Sequence, residues 1–203
     1  MKRLLALLAV LLLVWLPALA EEDHVCVNAE GLQVYFALPQ DTLLLTPEST
    51  MAEFMSAGFM PLDMIKYMEE CSISAVAVPV EDFPWEICLH VYPSQGTGLD
   101  DMTDLARELF RQDIENQYRE AGCQDAEARV FRTQGYTYMR IQYTAAYEDG
   151  SSGAFAEYVT VAGGREIWVS LNCFDDVLDQ EGDNAAQAIA DSLWFTEMTK
   201  EMP

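Results

Sequence analysis

Three hydrophobic patterns divide this chain. Leu4 to Leu16 is an unbroken apolar run. Further on, apolar residues recur either at helical spacing or in strict alternation with polar ones, the signatures of a helix and a strand that each bury one face. Leu32-Gln-Val-Tyr-Phe-Ala-Leu38 alternates and is closed by Pro39, which cannot donate to a ladder. Met51 to Ala57 reads as a short helix, capped by Ser49 or Thr50 and stopped at Gly58. A second helix opens at Pro61 and carries Leu62, Ile65, Tyr67 and Met68. Ile73 to Val80 and Glu86 to Tyr92 are β-rich runs around the turn-like Glu81-Asp82-Phe83-Pro84.

The strongest helical pattern runs from Met102 to Ala121, with Asp101 as cap, Asp104 in the first turn and Gly122 past the end. Met102, Leu105, Leu109, Ile114 and Tyr118 predict its buried stripe. Four strand patterns follow: Arg129–Thr133, Tyr136–Ala146, Ala154–Val161 and Glu166–Cys173. Their links are short and glycine-bearing, which predicts antiparallel hairpins in a meander. A helix over Asp183–Ser192 and a terminal Leu193-Trp194-Phe195 strand or extended tail close the domain. The predicted fold class is α+β, a mainly antiparallel sheet with helices packed on it.

Alternation also sorts side chains by face. Ile87, Leu89 and Val91, with Met139, Ile141, Val159, Val161, Ile167, Val169 and Leu171, are predicted as the core face. The opposite face then collects Cys88, His90, Tyr92, Tyr136, Tyr138, Arg140, Tyr158, Trp168 and Ser170. That face is aromatic and polar. Tyr138, Arg140, Tyr158, Trp168 and His90 are the candidate ligand-binding residues, suited to a peptide or an anionic small group. The competing reading is burial of that face under a second helix layer.

The first apolar run changes the picture of the compartment. Lys2 and Arg3 precede it, Pro17 breaks it, and Ala18-Leu19-Ala20 offers the small residues of a cleavage site. Residues 1–20 therefore read as a secretory signal peptide, leaving residues 21–203 as a single α+β domain. The expected address is secreted or extracytoplasmic, with no membrane span once the signal is removed. The formal charge is −23, which disfavours nucleic acid and anionic membrane surfaces as partners. Outside the cytoplasm Cys26, Cys71, Cys88, Cys123 and Cys173 are disulfide candidates, and one or two disulfides are expected. The odd count leaves at least one thiol unpaired within a monomer, and spacing alone does not choose the partners.

The order of elements resembles the Mog1/PsbP-like α/β/α sandwich, a family that includes secreted bacterial members. The resemblance rests on the strand ending in Leu38-Pro39, the weak helical insert, the strand pair, the long helix, the meander and the final helix running into Asp191-Ser-Leu-Trp-Phe195. It implies a mostly non-enzymatic binding or accessory protein. It supplies no site motif that transfers residue by residue.

Motifs for chemistry are few. Gly96-Thr97-Gly98 lacks the third glycine of a dinucleotide fingerprint, and Asp100, Asp101 and Asp104 would repel a pyrophosphate. Asp175, Asp176, Asp179, Glu181 and Asp183 do not fit a calcium loop, because Val177 and Ala188 fall on its required ligand positions. No cofactor and no metal site is expected. Cys88 and His90 share a strand face, but side chains two residues apart on a strand stand about 7 Å from each other. The expected function is that of a secreted, non-catalytic domain that binds a protein or small ligand. The alternative is a secreted Cys-His hydrolase centred on Cys88 and His90.

Overall fold

A computed structural model describes residues 24–147 and 150–198. The signal-peptide reading of residues 1–20, with its start at Glu21, lies outside the described residues.

Ten strands and four helices follow one another among the described residues. The strands are β1 His24–Ala29, β2 Leu32–Ala37, β3 Thr42–Leu45, β4 Ala75–Pro79, β5 Trp85–Pro93, β6 Gln124–Arg132, β7 Thr137–Ala146, β8 Ser152–Ala162, β9 Arg165–Cys173 and β10 Trp194–Glu197. The helices are α1 Met51–Ser56, α2 Pro61–Glu70, α3 Asp104–Glu120 and α4 Gln180–Ser192, with a 3₁₀ turn over Leu99–Asp101. β3-β4-β5-β9-β8-β7-β6 form a seven-stranded sheet, and β1-β2-β10 a three-stranded one. Every neighbouring pair of strands is antiparallel. The fold class is α+β, as the hydrophobic pattern predicts; β1 and β3 are additions to it.

Local chemistry explains most boundaries. Thr50 and Glu53 form a reciprocal capping box at α1. Pro61 occupies the first turn of α2, where a missing N–H costs nothing. Thr103, not Asp101, caps α3, accepting from Ala106 N at 3.2 Å. Asp179 caps α4 by accepting from Gly182 N at 2.8 Å, so this helix starts three residues before the expected Asp183. Gly182 is required there for a second reason. A Cβ at this position would sit 2.8 Å from the Trp85 ring and 2.9 Å from Leu171, so only glycine lets α4 lie this close to the sheet. Gly163 and Gly164 both have positive φ and turn β8 into β9.

Both faces of the large sheet are covered. The first carries Ile87, Leu89, Val169, Leu171, Ala156 and Tyr158, buried beneath α4 and the small sheet in one core. The second carries two smaller cores. Val76, Val78 and Cys88 pack under α1 and α2; Ala128, Met139 and Ile141 pack with Leu99, Ile114 and Tyr118 under α3 and the turn before it. With helices on both sides, β5 is buried almost along its whole length.

The pairing register overturns the expected sorting of faces. Met139 lies opposite Val159, and Val159 opposite Trp168, which lies opposite His90. Met139, Ile141, Val159 and Val161 therefore share the second face with His90 and Trp168. Arg140 lies opposite Tyr158, and Tyr158 opposite Val169, which places Tyr138, Arg140 and Tyr158 on the first face with Ile87 and Leu89. Alternation is right within each strand. Its phase between strands is set by register, and a shift of one residue exchanges the faces.

The long helix also differs from expectation. Leu105 is 70% and Leu109 58% exposed, and α3 contains no fully buried residue. It meets the sheet through Ile114 and Tyr118 and otherwise through polar side chains. Arg119 donates to Ala126 O at 2.9 Å, Glu115 accepts from Ala128 N at 3.0 Å, and Arg111 reaches Ala128 O. These three side chains occupy outward backbone groups of the sheet's edge strand, β6. A bare edge invites pairing with another chain, and α3 blocks it.

All five cysteines are unpaired in this structure, and none of the expected disulfides is seen in it. Cys88 and Cys173 face opposite sides of the large sheet, and Cys26 lies on the small sheet. Cys71 faces solvent at the end of α2, whereas Cys88 is buried in the core beneath that helix. Cys123 stands at the far edge, between α3 and β6.

Candidate functional site

The expected binding face divides into two different places. Tyr138 and Tyr158 are 0% exposed and Arg140 5% exposed, all covered by α4 and its surroundings. Arg140 Nη2 donates to both oxygens of Asp183 at 2.9 Å, Nε donates to Tyr158 Oη at 3.1 Å, and Nη1 donates to Gln142 Oε1 at 3.1 Å. The Tyr158 hydroxyl in turn donates to Asp183 Oδ1 at 3.0 Å. Burial pushes the Tyr158 phenol up to about 12, with Arg140 opposing. This is a buried clamp that ties the first turn of α4 to the sheet. Arg140 is not available to an anionic ligand, because Asp183 already neutralises it.

His90 and Trp168 lie on the other face, both partly exposed. His90 Nδ1 and the Tyr92 hydroxyl are 3.1 Å apart. Burial pulls the imidazole's pKa down, and backbone hydrogen bonds at Ser72 and Cys71 oppose this. Cys88 does not pair with His90; its sulfur is approached by Asn172 Nδ2 at 3.8 Å. Burial pushes its thiol well above the ordinary range, with Glu86 adding to the effect. An activated nucleophile needs the reverse, a lowered pKa beside a base.

What surrounds Trp168 is a cleft of about 400 Å³ between α3 and the second sheet face. Its floor is Met139, Ile141, Val159, Val161 and Trp168; Phe110, Ile114 and Tyr118 of α3, with Met102 just before it, form the opposite wall. The cleft owes its shape to three anchors. Asp100, expected only as a repulsive charge, accepts hydrogen bonds from the backbone and hydroxyl of Thr137 and pins the 3₁₀ turn to the start of β7. Arg107 reaches from α3 to Leu99 O at 3.2 Å. At the other end Tyr118 of α3 and Tyr143 of β7 both donate to the carboxylate of Glu157, the latter at 2.8 Å. Burial pushes the Glu157 carboxyl above the usual range, while these two hydroxyls pull it down. At the rim, Trp168 Nε1 donates to Glu166 Oε1 at 2.8 Å.

No protein-family model matches the chain, and no curated protein does so either. Among solved structures, the solution structure of cyanobacterial PsbP (CyanoP) from Synechocystis sp. PCC 6803 matches with a TM-score of 0.43 and 11% identity, covering 89% of this chain and 96% of that one. The chain is similar in fold to PsbP. The similarity concerns the arrangement of elements and carries nothing about the cleft.

Of the candidate residues, then, the structure brings together Tyr138, Arg140 and Tyr158 on one side and His90 and Trp168 on the other. Sequence reading missed Glu166, Glu157 and Phe110. Glu166 had a legible signal: it precedes Trp168 by two positions on a strand, so its carboxylate and the indole share a face. Phe110 had none, since it falls outside the apolar stripe of α3 and which face of that helix docks is decided by the sheet. No group of three or more His, Cys, Asp or Glu side chains placed to hold a metal occurs among the described residues. No helix among them is long and apolar enough to cross a membrane.

Proposed function

We propose that the protein is a secreted, non-catalytic binding domain, and that its ligand is a small molecule with an apolar body. The observation that carries this reading is the cleft beside Trp168. It is pre-formed, mostly apolar, within the size range of small-molecule sites, and carries a few polar groups at its margin. The Lys2-Arg3 start, the apolar run and Ala18-Leu19-Ala20 support export. Hydrolysis by Cys88 and His90 is disfavoured by a buried thiol of raised pKa that is not hydrogen-bonded to the imidazole. Binding fits better, because a cleft walled by aromatics excludes water from an apolar guest without needing any reacting group.

The test uses Nile red, a neutral apolar dye, titrated into the purified protein. Saturable fluorescence enhancement is expected. Trp168→Ala and Phe110→Glu should each weaken it at least tenfold while thermal unfolding stays cooperative, because Phe110 is on the rim and Trp168 is only partly buried. Saturable binding that neither substitution alters would place the dye elsewhere and overturn the reading, as would no binding at all.

A further inference from the structure

We infer that the ligand of this cleft is an amphiphile bearing one ammonium group, and that Glu166 selects for it; the inference rests on the cleft being the binding site. Glu166 is the only charged residue among those lining the cleft. Its Oε1 is held by the Trp168 indole N–H at 2.8 Å, which fixes the carboxylate against the ring. Among the described residues no hydrogen bond is made to Oε2, which leaves that oxygen open to an incoming donor.

Arg165 and the first two arginines of α3 have other partners. Arg165, next in sequence, donates to Glu30 O at 3.1 and 3.3 Å. On α3, Arg107 pairs with Asp104 at 2.6 Å, and Arg111 with Glu108 and Glu115. A carboxylate at the edge of an apolar cleft, with no basic side chain to neutralise it, attracts a cation and repels an anion. Trp168, Tyr118 and Phe110 line the same cleft, and ammonium groups are drawn to aromatic rings. The overall charge of −23 reinforces the preference by concentrating cations around the molecule. The ligand charge is thus opposite to the one the sequence suggested, because the basic residue of that reading, Arg140, lies buried beneath α4. A cleft of about 400 Å³ holds the body of one small molecule, so the assignment is to a free amphiphile.

The experiment displaces Nile red with three eight-carbon compounds: octylammonium, 1-octanol and octanoate. Octylammonium should compete at least tenfold more tightly than octanol, and octanoate should be weakest. Glu166→Gln should bring octylammonium within about twofold of octanol, the octanol value itself unchanged. Glu48→Gln, an equal charge change at an exposed site before α1, should leave the order intact. If Nile red binds in the cleft but octanol competes as well as octylammonium, the inference falls and the cleft reading stands. If Nile red does not bind, both fall. A preference that survives Glu166→Gln would belong to the global charge and overturn the role of Glu166. Phosphatidylcholine vesicles carry an ammonium on a bilayer; co-sedimentation of the protein with them would overturn the assignment to a free molecule.

Discussion

Asp183→Ala probes whether Arg140 belongs to a core clamp. The substitution removes the carboxylate that accepts twice from Arg140 Nη2 and once from Tyr158. The guanidinium, whose side chain is 5% exposed, keeps only Tyr158 and Gln142 as partners. Leaving one member of a buried ion pair uncompensated costs about 3–5 kcal/mol. The Asp183 side chain is 16% exposed, so water reaches the gap and the lower end, about 3 kcal/mol, is expected. Asp183 also stands in the first turn of α4, where a negative charge favours the helix by about 0.3–1 kcal/mol. Urea unfolding followed by circular dichroism reads the sum. With a slope of about 2 kcal/mol/M, the midpoint should fall by about 1.5–2 M. Replacing both partners, Arg140→Met with Asp183→Leu, should return stability to within about 1 kcal/mol of wild type, since no orphaned charge remains. A single-variant loss under about 1 kcal/mol, or a double variant as unstable as the two single losses added together, would show that the clamp is not a buried ion pair.

Two further outcomes are expected. Burial holds the folded-state pKa of Glu157 above its unfolded value, so its contribution to stability is present below the ordinary glutamate range and is lost as pH rises through the folded pKa. The melting temperature of wild type relative to Glu157→Gln should therefore fall from about pH 4 to pH 7, and a pH-independent difference would refute the assignment. Replacing Arg111, Glu115 and Arg119 together by serine should uncover the β6 edge and increase self-association in sedimentation experiments; no increase over wild type would mean that α3 does not guard that edge.

Local sequence determined the elements of this protein. Alternating and β-rich runs placed seven of the ten strands and an extended segment marked β10, and glycine-bearing links made the last four of the large sheet a meander, because turn chemistry and side-chain alternation act over a few residues. The short β3 and the weakly apolar β1 carried too little pattern to stand out, and they are held by their partners β4 and β2. Tertiary structure alone decided which alternating sets share a face. The phase of β7 and β8 against β9 depends on pairing between distant segments, so Arg140 and Trp168 ended on opposite sides of the sheet. It also decided that Leu105 and Leu109 face water while Ile114 and Tyr118 face the sheet. A helix can satisfy its backbone in any rotation about its axis, and only docking selects the face. The cleft exists for the same reason: α3 is held by Arg107, Tyr118 and the β6 edge at its margins, and the apolar floor between those anchors stays open.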